Sequence, residues 1–196
     1  MRARTCAYES AGSSAMEGMV NYLLSDDPWA AAARRDYDFF IVPMANPAGA
    51  HNGMTLLTGP RGVHLLLAKP ASADSAYEAM MKAGERVRPA RFVDVHNWQR
   101  KCGDGLLGME IQRRERFLYY RPGDSQQGKR WHFGDPHVPC ASPGSEESLA
   151  AYIRREFGAR VATLELSWFG RSPDHARRFG GRALWALLMG DAELPD

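Results

Sequence analysis

Three short segments of this chain carry side chains that could act on a substrate or hold an ion. Cys6-Ala-Tyr-Glu9 sets a thiol and a carboxylate three residues apart. Asp94-Val-His96-Asn-Trp98 closes a run of β-formers with an imidazole. Thr163-Leu-Glu165-Leu-Ser-Trp168 embeds a carboxylate among aliphatic residues. A thiolate, a carboxylate and an imidazole are each competent zinc ligands. Three protein ligands with an open fourth position form a catalytic rather than a structural pattern. A further carboxylate that does not bind the metal could act as general base. Spacing alone also admits plainer readings. Cys6 reads equally as a small buried thiol, His96 as a hydrogen-bonded structural residue, and Glu9 and Glu165 as surface carboxylates.

The surrounding periodicity says which elements must hold these groups. Residues 2–8 read as a short strand. Met16, Met19, Val20, Leu23 and Leu24 fall at helical spacing over about 13–25, and Pro28 suits the first turn of a helix running to Arg35. Tyr37 to Pro43 reads as a buried strand, Asn46 to Gly49 as a turn, and residues 72–87 as a helix. Arg91 to His96 is a second strand ending on the imidazole. Residues 106–120 fit strand or helix, and 121–145, rich in proline and glycine, read as a long loop. Glu146 to Phe157 is a helix with Ser145 as N-cap and Gly158 just past its end. Ala159 to Ser167 is a strand and Arg177 to Met189 a final helix. Strands alternating with helices predict an α/β fold with a central, largely parallel sheet, whose sites gather at the carboxyl ends of the strands.

Composition narrows the function classes. The 196 residues predict one domain spanning 1–196, with 44% hydrophobic and 24% charged residues as in a globular protein. A formal net charge of +2 gives no field for nucleic acid or an acidic membrane. No apolar run approaches the roughly 18 residues of a membrane span. Cys6, Cys102 and Cys140 are too few and scattered for a disulfide framework. With nine methionines and no apolar signal region at the start, the chain reads as cytoplasmic with reduced thiols.

Four collinear segments resemble the M14 family of zinc carboxypeptidases. Tyr8-Glu9-Ser-Ala-Gly-Ser-Ser14-Ala-Met-Glu-Gly18 is similar to the stretch from the glutamate of the family's His-x-x-Glu motif into the next helix. Phe40-Ile-Val-Pro-Met-Ala-Asn-Pro-Ala-Gly49 resembles the strand ending in Asn-Pro-Asp-Gly. Phe92-Val-Asp-Val-His-Asn-Trp98 resembles the strand of the third metal ligand, and Thr163 to Trp168 the strand of the general base. The resemblance runs from about residue 3 to residue 190. It implies a three-layer α/β/α sandwich around a mixed, largely parallel sheet. It further implies zinc held by Cys6, Glu9 and His96, and Glu165 as general base in hydrolysis of a peptide or small amide.

The departures from the family pattern bear on activity. Cys6 stands where the family has histidine; a thiolate still binds zinc but adds negative charge and softens the Lewis acid. Leu56 stands where an arginine polarises the scissile carbonyl. His64, Leu66 and Leu67 replace the Asp, Asn and Arg of Gly-x-Asp-Leu-Asn-Arg, whose last two residues hold the substrate's terminal carboxylate. Apolar side chains cannot replace that fork. Arg61 and Lys69, which read also as solvated loop charges, are the candidate substitutes. Tyr119 or Tyr120 could contact substrate. Only five residues precede Cys6, where the family has two strands and a helix. A shortened sheet edge calls for a covering partner such as a second copy; alternatively, the chain is a fragment. Two function classes follow: a zinc-dependent hydrolase, or a catalytically degenerate relative that serves as a binding or assembly subunit.

Overall fold

Side-chain alternation along two strands decides the layering. The computed structural model describes residues 1–54, 75–98, 105–107, 149–167 and 172–189. Strands β1 (Arg2–Ala3), β2 (Arg91–Trp98), β3 (Gly105–Leu107) and β4 (Arg160–Ser167) form one sheet in the order β1-β2-β4-β3. The first three of that order are parallel and β3 is antiparallel to β4. The expected mixed, largely parallel sheet is therefore present.

Val93 and Val95 of β2 and Ala162, Leu164 and Leu166 of β4 pack on helices α1 (Ser10–Leu23) and α6 (Pro173–Met189). On the opposite face, Phe92 and Val161 meet Leu149 and Ile153 of α5 (Leu149–Phe157), beside Met80 and Met81 of α4 (Ser75–Val87). Strands covered on both faces carry apolar residues on both, as at Phe92, Val93 and Val95 of β2 and Val161, Ala162, Leu164 and Leu166 of β4.

Local signals explain the helix ends. The side chain of Asp27 accepts hydrogen bonds from the backbone N–H groups of Trp29 and Ala30, and Pro28 opens α2 (Pro28–Asp36). Gly158 takes φ +66° just past α5, a conformation that favours glycine.

Three expectations change. Tyr37 to Pro43 is no buried strand: Val42 alone makes a parallel bridge, to Arg2. Phe39 and Ile41 pack on the core while Tyr37 and Phe40 are exposed, so the segment is a one-sided edge to β1. The turn at Asn46 is a short helix, α3 (Pro47–His51), because the Asn46 side chain caps Gly49 N–H at 2.9 Å. The strand expected over 2–8 stops at Ala3, where Arg4 adopts φ 59° and turns the chain. The ambiguous run 106–120 is described only through Leu107, and the loop 121–145 lies outside the described residues.

Helices α1 and α6 approach through glycines. A Cβ at Gly180 would lie 1.9 Å from the Ala15 carbonyl oxygen, and one at Gly18 would lie 1.9 Å from that of Arg177. Backbone cannot yield as a flexible side chain does. Gly180→Ala is therefore expected to destabilise the fold by about 1–3 kcal/mol or more, the range for overpacking a close-packed core. Urea unfolding measures it; an unchanged midpoint would mean that the helices are free to separate.

Candidate metal centre

The residues that could do chemistry meet where β1 and β2 end. After Ala3 the left-handed Arg4 starts a tight turn, closed by the Glu9 N–H bonding the Cys6 carbonyl at 3.1 Å. Arg4 staples that turn: its Nε donates to the Ala7 carbonyl at 2.6 Å and its Nη1 to Ser13 Oγ at 3.3 Å. Glu9 occupies the N-cap position of α1 without capping it by its side chain. Its carboxylate instead faces the sheet, at a helix end that favours negative charge. On β2, Asp94 and His96 share one face because side chains alternate. Asn97, on the other face, accepts the Gly12 N–H at 3.3 Å and ties the strand end to α1.

Cys6, Glu9 and His96 are all buried, and one ligand atom from each lies within 4.8 Å of the others. His96 Nδ1 is 2.8 Å from Glu9 Oε2. The other ring nitrogen, Nε2, is 3.1 Å from Asp94 Oδ2. Asp94 in turn accepts two hydrogen bonds from Arg2, Nε to Oδ1 at 2.8 Å and Nη2 to Oδ2 at 2.6 Å.

These contacts set the charge states. Burial disfavours the His96 cation, but the carboxylates of Asp94 and Glu9 outweigh it and hold the imidazole well above its usual pKa. Burial likewise opposes an ionised Asp94, yet Arg2 and His96 keep its carboxyl well below the usual range. Burial pushes the Cys6 thiol up to about 11, against a hydrogen bond from His96 that lowers it.

The donor set fits a zinc ion. Ligand bonds of about 2.0–2.3 Å place tetrahedral donors about 3.3–3.8 Å apart. The three ligand atoms, all within 4.8 Å of one another, bracket that spacing, with the His96–Glu9 contact of 2.8 Å having to open. A carboxylate on the far ring nitrogen is the usual companion of a metal-ligating histidine.

Three predicted site residues are thus brought together. Glu165 sits on β4 in backbone register with His96. Arg61, Lys69, Leu56, His64, Leu66, Leu67, Tyr119 and Tyr120 lie outside the described residues. Arg2 was missed in the sequence because it meets Asp94 only through the β1–β2 register. For Asp94 there was a signal: two residues from His96 on a strand, it shares its face.

Solved structures with a similar architecture include metallo-carboxypeptidases and a murein-tripeptide amidase. A metallo-carboxypeptidase from Burkholderia cenocepacia superposes with a TM-score of 0.75 at 21% identity, over 96% of this chain and 56% of that one. A metallo-carboxypeptidase from Pseudomonas aeruginosa, in complex with (2-guanidinoethylmercapto)succinic acid, gives 0.75 at 20% identity, over 96% of this chain and 55% of that one. The murein-tripeptide amidase of Escherichia coli O157 gives 0.53 at 15% identity, over all of this chain and 81% of the other. In sequence, 53 residues are 43% identical to human cytosolic carboxypeptidase 1, covering 27% of this chain and 4% of that protein. No protein-family model matches the chain. The chain has the carboxypeptidase-like fold and spans about half the length of the two carboxypeptidase structures. None of the described helices is long and apolar enough to cross a membrane.

Proposed function

We propose that the chain is a zinc-dependent, metallocarboxypeptidase-like hydrolase of peptide or amide bonds. The observation that carries this reading is the convergence of Cys6, Glu9 and His96 at the carboxyl ends of two parallel strands. In this reading those three side chains hold the ion, which when bound supplies a Lewis acid to polarise the scissile carbonyl. Glu165 takes a proton from the attacking water and returns it to the leaving nitrogen. Arg61 and Lys69 are the candidate cations for a substrate carboxylate. In this reading the substrate is a peptide or small amide met in the cytoplasm.

Cys6 and the apolar Leu66 and Leu67 favour a second reading, a catalytically degenerate protein that binds rather than turns over. One experiment separates the two. The purified protein is titrated with zinc and with cobalt(II), then offered peptides with free and with amidated C-termini. Stoichiometric binding, with sulfur-to-cobalt charge transfer from Cys6, is expected. So is slow cleavage at similar rates for both peptides, because Leu66 and Leu67 cannot recognise a carboxylate. Metal binding without cleavage favours the binding protein. No metal binding rejects the hydrolase. A strong preference for the free carboxylate would assign its recognition to a cation such as Arg61 or Lys69.

A further inference from the structure

Behind His96 stand two further buried charged groups, Asp94 and Arg2. Glu9 lies at Nδ1 of the ring, and Asp94 at Nε2. Arg2 grips both of its oxygens. The side chains of Arg2 and Asp94 are 3% exposed and that of His96 is 5% exposed, so these bonds are shielded from bulk solvent.

We propose that Asp94 and Arg2 are positioning residues for the metal centre. Asp94 accepts the Nε2 proton of His96 and so presents the Nδ1 lone pair to the ion, while Arg2 clamps the plane of the carboxylate. The inference rests on the metal-centre reading and adds the orientation of the ring to it. Two physical arguments support it. A neutral imidazole has one N–H and one lone pair, and the group bonded to one nitrogen selects the tautomer. A bidentate arginine fork fixes a carboxylate more tightly than a single donor does. Charge gives the second argument. A thiolate at Cys6 joins Glu9 and Asp94 as a third buried anion. A divalent cation together with Arg2 matches all three, and buried charges persist only when paired. Arg2 thus offsets the additional negative charge that a cysteine ligand brings.

The test begins with the zinc-loaded wild-type protein, by ¹⁵N NMR of its histidines. His96 is expected to carry its proton on Nε2, protected from exchange, with Nδ1 at the metal. The opposite assignment overturns the proposal whatever the variants do. Asp94→Asn and Arg2→Lys are then compared by zinc titration and by cobalt(II) spectra, with circular dichroism to show that each is folded. Loss of an outer partner of a ligand typically costs 10–100-fold in metal affinity. That loss is expected for Asp94→Asn, with a smaller one for Arg2→Lys, which keeps the charge and loses the fork. A purely structural pair would lower the melting temperature and leave the affinity and spectrum of the folded protein unchanged; that result also overturns the proposal. If neither variant folds, the wild-type assignment decides. A wild-type protein that binds no zinc defeats the metal-centre reading itself, whereas bound zinc with a reversed ring defeats only this inference.

Discussion

Glu9→Gln is expected to lose zinc binding by more than about 100-fold and to bring any hydrolysis to background, since even outer partners of ligands are worth 10–100-fold. The substitution keeps the size and shape of the side chain. It removes the only carboxylate that faces both the Cys6 thiol and His96 Nδ1 in the described cluster. A neutral amide oxygen is a much poorer donor, and the ion would lose one of two anionic ligands in a buried site. The metal content of the protein after dialysis, and zinc titration against a competing chelator, measure the effect. The wild-type affinity should also rise with pH. Binding must displace a proton from Cys6, whose thiol is raised to about 11, and from His96, which is raised above its usual value. Near-wild-type zinc binding by Glu9→Gln would remove Glu9 from the centre.

The second large effect is expected at Glu165. Its backbone stands in register with His96 and, across β3, with Gly105. That places it on the strand beside the metal centre, at the carboxyl end where sites of this fold class gather. Glu165→Gln keeps the shape and removes the basicity. A general base contributes about 10²–10⁴-fold, so turnover should fall by that factor while zinc content stays at the wild-type level. Zinc lost together with activity would make Glu165 a ligand instead. Equal turnover would remove it from the mechanism.

Particular residues show which parts of this arrangement were legible beforehand. His96 closes an expected strand and Glu165 interrupts an aliphatic one, and the strand pattern of Arg91 to His96 and Ala159 to Ser167 carried through to β2 and β4. Cys6 and Glu9 were legible as a pair from their residue types and the family resemblance, whereas the turn that brings them together was not, because residues 2–8 read as a strand. Non-local features were hidden. The Arg2–Asp94 pair depends on which residue of β1 falls beside which of β2, and no local pattern encodes that register. The glycines of α1 and α6 look like weak helix positions until the opposing backbone is seen. Tyr37 to Pro43 has the composition of a buried strand, but its place beside a two-residue edge strand leaves Phe40 half exposed.

The pairing of α1 with α6 has a consequence for how the protein is made. These two helices share the most extensive helix–helix contact among the described elements, yet on the order of 150 residues separate them in the chain. On a ribosome moving at about 5–20 residues per second, the turn carrying Cys6 and Glu9 emerges many seconds before the helix that locks it in place. Contacts of such long sequence separation form late in folding. Through that interval the nascent chain displays a thiol and a carboxylate with no His96 behind them at first, on a helix that still lacks the partner it packs on. Burial of the Cys6 thiol beside His96 therefore waits on the synthesis of β2, and the α1 face that α6 covers waits longer.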